Sequence, residues 1–321
     1  MKKYIDLIEE NLSSFDFGSK PKEIYEPIRY ILSLGGKRLR PVLTLLSYQL
    51  FDKDFHKAVF PAIGIEVFHN FTLLHDDIMD NAPMRRGKQT VHEKWNDNVA
   101  ILSGDVMLVK AYDLMLYADK EKIHKVISKF NRCAAEVCQG QQYDMNFESR
   151  HSVSETEYLE MIRLKTAVLL GFALELGAIL GGADENTCSK LYAFGINIGL
   201  GFQLKDDLLD VYADSAKFGK QVGGDIIANK KTFLLIKALE LASEAQKEQL
   251  NFWLEKKDFD AKDKVQAVVS LYDQLNIKSL TEQKMNEFFD NGLAILRDLP
   301  VTKEKKQPLR QLTLQLIDRE K

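Results

Sequence analysis

The feature that most constrains the fold of this chain is the distribution of its prolines. The chain has 321 residues, and none of its seven prolines lies between residues 84 and 299. Proline interrupts helices and marks turns, so this distribution disfavours a turn-rich β-sandwich and favours long helices. Apolar residues recur at helical spacing almost throughout, and no alternating run reaches strand length with a β-branched bias. The sequence therefore predicts an all-α chain of roughly ten or more helices.

Charge and composition exclude several classes of protein. The 47 acidic and 44 basic residues give a net charge of −3, which is too balanced for a nucleic-acid binder that relies on a basic surface. The hydrophobic content of 45% is too high for a disordered chain. The three cysteines are an odd number without metal-ligand spacing, which indicates reduced thiols in a reducing compartment.

The helical pattern contains no linker and no targeting segment. No Ser-, Gly- or Pro-rich tract divides the chain, so we expect a single domain over residues 1–321. The N-terminal segment lacks the apolar core of a signal peptide. The most apolar run, residues 167–182, contains Glu175 and is too short to span a bilayer, so we expect it to form a buried central helix. These features predict a cytoplasmic protein without a membrane span.

An Asp-Asp-x-x-Asp pattern occurs twice, and its chemistry points to a cation. The two copies are Asp76, Asp77 and Asp80, and Asp206, Asp207 and Asp210. Because each helical residue advances by about 100°, the carboxylates of each copy lie within one arc of about that width and repel each other. A single copy would fit a solvated acidic edge. Two copies with equal spacing and apolar flanks favour ligands of a hard cation such as Mg²⁺.

Basic residues lie next to both acidic clusters and at glycine breaks. They fall in residues 35–41, 81–88, 165–166, 218–225 and 229–232. Arginine suits bidentate contacts with phosphate, and lysine acts as a point charge. Acidic clusters with these neighbours predict a diphosphate held through Mg²⁺. The chain has neither a Walker motif nor Gly-x-Gly-x-x-Gly, so a nucleotide is not the expected diphosphate.

With these motifs, the chain resembles the trans-isoprenyl diphosphate synthases, the short-chain polyprenyl synthetases. The resemblance runs from Gly35 to about Leu235 and includes Gly140-Gln141-x-x-Asp144 between the two acidic motifs. It implies an all-α isoprenoid synthase fold, a single orthogonal domain of about a dozen helices around a deep central cavity, usually in a homodimer. The chain departs from the family pattern at Lys205 and Ala213, and neither residue is an expected ligand.

The resemblance also implies roles for individual residues. Mg²⁺, about three ions in each active site, would be coordinated by Asp76, Asp80 and Asp206. These ligands would be supported, directly or through water, by Asp77, Asp207 and Asp210. The allylic prenyl diphosphate would be held by Arg85, Lys165, Lys220 and the nearby Lys230. Isopentenyl diphosphate would be held by Lys37, Arg40, His69 and Arg86.

The implied reaction is an ionisation, a condensation and an elimination. Stabilisation of the departing diphosphate by Mg²⁺ and by cationic side chains allows the allylic C–O bond to break. Thr166 and Gln203 offer uncharged oxygen dipoles that stabilise the allylic cation. The isopentenyl double bond attacks this cation, and the released diphosphate is the expected proton acceptor. Water has to be excluded because it would convert the cation to an alcohol.

Residues just before the first motif predict the length of the product. Phe68, Phe71 and Thr72 lie eight, five and four residues before Asp76. Within the family, this pattern resembles that of one type of geranylgeranyl synthase, which has an aromatic residue five positions before this Asp and a small residue four positions before it. We therefore expect a C20 product, with C15 as the next candidate. The alternative interpretation is that Phe68 and Phe71 are ordinary core residues.

Two other functions stay open on the sequence alone. A terpene cyclase also ionises an allylic diphosphate, but its second motif is normally of the Asn/Asp-x-x-Ser/Thr-x-x-x-Glu type, which residues 206–210 do not match. An inactive regulatory subunit of a prenyl synthase generally loses one acidic cluster, and both are intact here. The charged segment Lys303 to Lys321 is expected to form a surface helix that begins near Pro308.

Overall fold

The computed structural model describes residues 1–213 and 223–318, and this part of the chain is helical almost throughout. In chain order the helices are α1 (Lys2–Ser14), α2 (Lys22–Ser33), α3 (Leu39–Tyr48), α4 (Val59–Met79), α5 (Val91–Lys94), α6 (Asp97–Met115), α7 (Lys120–Glu148), α8 (Glu155–Ile162), α9 (Val168–Gly181), α10 (Glu185–Tyr212), α11 (Gly224–Ile227), α12 (Phe233–Leu241), α13 (Glu244–Glu255), α14 (Ala261–Gln274), α15 (Ile277–Arg297) and α16 (Lys303–Ile317). The strands of the described chain are a two-residue antiparallel pair, β1 (Met84–Arg85) and β2 (Lys88–Gln89). The all-α prediction is confirmed.

The chain divides into two compact units. Unit 1 contains Met1–Cys133, Phe172–Tyr192 and Pro300–Lys305. Unit 2 contains Ala134–Gly171, Ala193–Leu299 and Lys306–Lys321. The boundaries at residues 133, 171 and 192 fall inside α7, α9 and α10 and not in loops.

The main helix of unit 1 is α4, which ends in the first acidic motif. Its residues are mostly buried from Val59 to Phe71, and it packs closely against α6. Gly104 on α6 permits this approach, because a Cβ there would lie 2.2 Å from Nε2 of His75. The helix ends at Met79, so Asp80 forms its C-cap. Close packing thus fixes the helix end from which the acidic side chains project.

The most apolar part of the chain is the continuous helical segment Glu155–Gly181, which comprises α8, a π-helical turn at Arg163–Ala167, and α9. Its length and composition would allow it to cross a membrane, but 83% of its most apolar window is buried inside the protein. A core helix meets the same two criteria as a membrane span. The expected buried helix is confirmed, and it extends well beyond residues 167–182.

The C-terminal helix corrects one expectation. α16 begins at Lys303, and Pro308 lies inside it instead of near its start. Proline lacks the N–H that would bind the carbonyl oxygen four residues earlier, but Glu304 is exposed, so water can satisfy that carbonyl. Leu309 and Leu312 are buried, so this helix has a packed face and does not lie wholly on the surface.

Candidate active site

The first acidic motif lies at the C-terminal end of α4 in unit 1. Asp77 is 2% exposed, whereas Asp76 is half-buried and Asp80 is exposed. The Arg85 guanidinium holds Asp77, because its Nε donates to Oδ1 at 2.8 Å and to Oδ2 at 2.9 Å. Its Nη2 lies 2.6 Å from Oδ1. The middle carboxylate is therefore locked by a cation, and the two outer carboxylates are the accessible ones.

The β1–β2 hairpin presents Arg85 and Arg86. It turns at Arg86 and Gly87, whose φ angles are +52° and +73°, in the left-handed region. Nη1 of Arg86 donates to the carbonyl of Gly35. This contact joins the hairpin to the glycine break that precedes Lys37. Two basic segments that are separate in sequence therefore meet in unit 1.

Arg38 organises the loop between α2 and α3, and the sequence analysis assigned it no role. It is 2% exposed and has a left-handed φ of +46°. Its Nη1 donates to Oε1 of Glu66 at 2.8 Å, and its Nε donates to Oε1 of Glu9 at 2.7 Å. Its Nη2 also donates to the carbonyl of Leu32 at 2.8 Å. A buried ion pair of this kind fixes the backbone on either side of it, which carries Lys37 and Arg40.

His69 and Arg40 form a polar pair next to this loop. Nη1 of Arg40 lies 3.0 Å from Nε2 of His69. Burial holds the pKa of His69 well below its usual value, and the positive charges of Arg40, Arg86, Arg85 and Arg38 lower it further. His69 is therefore neutral at pH 7 and accepts a hydrogen bond from Arg40. A neutral His69 does not itself offset the positive charge of Arg40.

The three residues proposed to set product length lie in or next to an aromatic cluster. Phe68 is 1% exposed and Phe71 is 8% exposed, and their ring centroids are 5.6 Å apart. Phe68 also meets Phe130 of α7 edge to face at 5.2 Å. The Thr72 hydroxyl donates to the carbonyl of His69 at 2.8 Å, so it is bonded within its own helix. Phe130 is a neighbour of Phe68 that the sequence analysis did not identify.

The second acidic motif, on α10 in unit 2, also has a buried middle residue. Asp207 is 3% exposed, whereas Asp206 and Asp210 are half-buried. The Tyr158 hydroxyl donates to Oδ2 of Asp207, and Nε2 of Gln203 donates to Oδ1 at 3.2 Å. Burial raises the pKa of Asp207 to about 7. The middle carboxylate is again held inside, here by neutral donors.

Gln203 also joins this motif to Thr166, because the Thr166 hydroxyl donates to its Oε1 at 3.2 Å. The adjacent Lys165 binds Oδ2 of Asp144 at 2.5 Å. Close packing places this pair, since a Cβ on Gly140 would lie 2.2 Å from the backbone nitrogen of Lys165. The structure therefore brings Lys165, Thr166 and Gln203 together in unit 2.

Asp225 is a further acidic residue of the site that the sequence analysis left without a role, although it lies in one of the basic segments. Its backbone N–H donates to Oδ2 of Asp210 at 2.9 Å. Burial and the charge of Asp210 raise the pKa of Asp225 to about 6. Nζ of Lys230 lies 4.0 Å from Oδ1 of Asp225. Lys220, the remaining proposed diphosphate ligand, lies outside the described residues.

The donor set fits Mg²⁺ that arrives with a substrate. Within residues 1–213 and 223–318, no three His, Cys, Asp or Glu side chains are grouped as a ready metal site. Mg²⁺ does not require such a cage, because it binds one or two carboxylates, keeps several waters and takes substrate phosphates as further ligands. Burial raises the pKa values of Asp207 and Asp225, so a positive charge close to them would favour their ionised forms.

Comparisons with known proteins identify the family of this chain. The family model described as polyprenyl synthetase matches residues 21–272. The geranylgeranyl pyrophosphate synthase of Geoglobus acetivorans is 46% identical over 236 residues, which is 73% of this chain and 74% of that protein. The geranylfarnesyl diphosphate synthase of Natronomonas pharaonis is 39% identical over 251 residues, 73% of this chain and 74% of that protein.

The fold is also that of a solved prenyl synthase. A crystal structure of a geranylgeranyl pyrophosphate synthase superimposes with a TM-score of 0.93 at 42% identity and covers 100% of this chain and 98% of that one. The expected all-α isoprenoid synthase fold is thereby confirmed.

The depressed pKa of His69 predicts how stability depends on pH. Below the unfolded pKa of about 6.5, the unfolded chain binds a proton at His69 that the folded protein does not, so stability is lost as the pH falls. His69→Gln keeps a hydrogen-bond acceptor but cannot titrate. We expect its free energy of unfolding, measured by urea denaturation, to fall less between pH 7.5 and pH 5.5 than that of the wild type, by up to about 1 kcal/mol.

The control is His151→Gln, because His151 is exposed. This variant should retain the pH dependence of the wild type. If His69→Gln retained it as well, the pKa of His69 would be the same in the folded and unfolded protein, and the assignment of a lowered pKa would be wrong.

Proposed function

The chain belongs to the polyprenyl synthetase family and is a short-chain trans-prenyltransferase, and we propose that it condenses isopentenyl diphosphate with allylic diphosphates to form mainly a C20 product. The observation that carries the proposal is the shared design of the two acidic motifs. In each, the middle carboxylate is buried and locked, Asp77 by Arg85 and Asp207 by Tyr158, while the two outer carboxylates are more accessible. Such a pair of motifs suits metal-bridged binding of a diphosphate.

Members of this family are generally Mg²⁺-dependent. Asp76, Asp80 and Asp206 are the proposed ligands, with Asp77, Asp207 and Asp210 in support, and the proposed number is about three ions. When bound, Mg²⁺ supplies Lewis-acid stabilisation of the negative charge that develops on the leaving diphosphate. The locked middle carboxylates orient their neighbours and avoid the repulsion of three free charges.

The allylic diphosphate is proposed to bind Arg85, Lys165, Lys220 and Lys230. Two of these cations already have a fixed position, because Arg85 is held by Asp77 and Lys165 by Asp144. Preorganised cations lose little side-chain entropy when the ligand binds. A diphosphate carries more negative charge than one carboxylate, so it can bind Arg85 and Lys165 while these residues stay paired with Asp77 and Asp144.

Isopentenyl diphosphate is proposed to bind Lys37, Arg40, His69 and Arg86. The support is the contact of Arg86 with Gly35 and of Arg40 with His69, which gathers these residues in unit 1. No metal is required, because the guanidinium groups bind phosphate directly.

Ionisation of the allylic diphosphate leaves a cation that needs stabilisation without capture. The hydroxyl of Thr166 and the amide of Gln203, which are hydrogen-bonded to each other, present uncharged dipoles for this purpose. The isopentenyl double bond then attacks the cation, and loss of a proton to the released diphosphate completes the product. No side-chain base is needed.

Product length is proposed to depend on Phe68, Phe71 and Thr72. The support is the cluster of rings at this level of α4, where Phe68 lies against both Phe71 and Phe130. The relatives named above differ in product, since one is named a geranylgeranyl and the other a geranylfarnesyl synthase. A few ring positions along one helix would account for such changes in length.

A homodimer is the proposed assembly. Leu102, Val109 and Leu116 follow each other at intervals of seven residues along and just after α6, and they are 53%, 59% and 55% exposed. Val106 lies on the same stripe. An exposed apolar stripe with this repeat is typical of a helix that packs against another helix, and a second copy provides the same stripe.

A single domain over residues 1–321 and a cytoplasmic location complete the proposal. Unit boundaries inside continuous helices support one domain. None of the three cysteines is in a disulfide, and Cys133 and Cys188 are buried, as expected of a reducing compartment.

The reaction is tested by a product assay. Purified protein is incubated with Mg²⁺, isopentenyl diphosphate and dimethylallyl, geranyl or farnesyl diphosphate, and the dephosphorylated products are sized by mass spectrometry. We expect linear alcohols that end at C20. Asp206→Asn should lower the turnover number at least about 100-fold, because it removes a charged ligand. Asp258→Asn, at an exposed position, should have no effect.

Other outcomes would contradict the proposal. Cyclic hydrocarbons formed without consumption of isopentenyl diphosphate would indicate a terpene cyclase. No consumption of any substrate would indicate an inactive subunit.

Product length is tested by Phe68→Ala and Phe68→Leu. Truncation of this ring should extend the main product by at least one isoprene unit, and the Ala variant should extend it more than the Leu variant, because it opens more space. Phe17→Ala is a matched control, since Phe17 is also buried and its recorded ring partner is Phe15. If both Phe68 variants made products of the wild-type length, Phe68 would be an ordinary core residue.

The assembly is tested by Val109→Glu. A charge in the stripe should convert a particle of twice the 36.7 kDa chain mass into a monomer in analytical ultracentrifugation. Leu241→Glu is the control, because Leu241 is similarly exposed but lies on α12. A wild-type monomer, or a Val109→Glu dimer of unchanged affinity, would refute this interface.

A further inference from the structure

We propose that Lys264 is a positioning residue for the allylic diphosphate site and acts through the turn that carries Lys230. The inference rests on the proposed function, because it assumes that Lys230 binds the allylic diphosphate. Lys264 lies on α14, in sequence well after both acidic motifs, and the resemblance to prenyl synthases gave it no role. All the contacts that carry the inference lie within unit 2.

Lys264 is completely buried, with 0% of its surface exposed. Its ammonium donates to Oδ1 of Asn229 at 2.6 Å and lies 3.4 Å from the carbonyl of Ile227. It also lies 4.2 Å from the ring centroid of Phe259. These partners are an amide, a carbonyl and an aromatic ring. Burial of an ammonium against neutral groups is costly, so an apolar side chain here would be the more stable choice if packing were the only requirement.

The turn held by this ammonium has a backbone that few residues adopt. Asn229 has a left-handed φ of +55°. Its side chain is held at both ends, because Oδ1 accepts from Lys264 and Nδ2 donates to the carbonyl of Leu254 at 2.9 Å. The next residue is Lys230, whose backbone N–H donates to the carbonyl of Asp225 at 2.9 Å. The direction in which Lys230 leaves the turn therefore depends on Asn229.

The other end of the same turn is tied to the second acidic motif. Asp225 accepts the backbone N–H of Lys230 and donates its own N–H to Oδ2 of Asp210 at 2.9 Å. The N–H of Gly223 donates to the carbonyl of Asp210 at 2.6 Å. Residues 223–230 are thus attached to the motif at one end and to Lys264 at the other. Lys264 fixes the position of Lys230 relative to the carboxylates that are proposed to share its ligand.

Loss of the ammonium has a specific consequence. Oδ1 of Asn229 and the carbonyl of Ile227 would lose a buried donor, and the turn would gain alternative conformations. Lys230 would then occupy the position suited to the diphosphate in only a fraction of the molecules. The apparent Kd for the diphosphate rises as this fraction falls. The isopentenyl site is built from other residues, so its affinity should not change.

The experiment compares Lys264→Met with Lys306→Met. Lys306 is a matched control, because it is 9% exposed and its ammonium also donates to two carbonyls, those of Arg297 at 2.6 Å and Leu299 at 3.0 Å. Both substitutions replace a buried ammonium by an apolar chain of similar length. Lys264→Met should raise the KM for the allylic diphosphate about tenfold and leave the KM for isopentenyl diphosphate within about twofold. Lys306→Met should change neither KM.

A double-mutant cycle tests whether Lys264 acts through Lys230. In a Lys230→Ala background, Lys264→Met should have little further effect on the KM for the allylic diphosphate, because the side chain that it positions is absent. Lys264→Arg should restore part of the affinity, since it keeps a buried donor. Additive effects of the two substitutions would overturn the inference.

A binding measurement separates this inference from the proposed function. The probe is the S-thiolo analogue of farnesyl diphosphate with Mg²⁺, which binds without ionising, and its affinity is measured by calorimetry. A wild-type protein that neither binds the probe nor consumes isopentenyl diphosphate would refute the proposed function. If the wild type does both, and Lys264→Met binds the probe as tightly as Lys306→Met does, the role of Lys264 is refuted while the proposed function stands.

A second variant covers the case in which Lys264→Met does not fold. Asn229→Gly keeps access to the left-handed φ but removes the acceptor of Lys264. It should reproduce the weaker binding of the allylic analogue, and unchanged binding would contradict the inference.

Discussion

The charge repulsion within each triad of aspartates is the main constraint on the candidate site. Three carboxylates within one turn of a helix repel each other, and burial makes the repulsion stronger. In both triads the middle residue is withdrawn from solvent and bonded to a specific donor, Arg85 for Asp77 and Tyr158 for Asp207. The outer carboxylates of each triad are more accessible to solvent than the middle one. In the proposed function, a diphosphate that brings Mg²⁺ would offset the repulsion between these carboxylates.

The remainder of each unit positions these charges. In unit 1, close packing at Gly104 and the buried ion pair of Arg38 with Glu66 fix the elements around the first triad. In unit 2, the close approach of Gly140 to the backbone of Lys165 fixes the position of Lys165. The ammonium of Lys264, which binds the turn at residues 227–230, fixes the position of Lys230. The side chains of Arg38, Glu66 and Lys264 in these interactions are buried. These interactions reduce the conformational freedom that binding would otherwise have to remove.

The sequence predicts the class of fold and both acidic motifs, because periodicity and spacing are local properties. It also predicts Lys165, Thr166 and Gln203 through the family pattern, and the structure brings these three together. It does not predict Tyr158 as the partner of Asp207 or Lys264 as the partner of Asn229, since these contacts join residues 49 and 35 positions apart. The predicted start of α16 is wrong, because a proline does not always mark the beginning of a helix. Pro308 lies inside α16, where the carbonyl of Glu304 that it leaves without a helical hydrogen bond is exposed to water.

The most direct test of this account is calorimetric binding of inorganic diphosphate with Mg²⁺ and with EDTA in its place. If the outer carboxylates bind diphosphate through Mg²⁺, the affinity should fall at least about 100-fold without Mg²⁺, because no metal ion would then separate the anion from the negatively charged aspartates. Equal affinity with and without Mg²⁺ would contradict the account, because the basic residues alone would then hold the diphosphate.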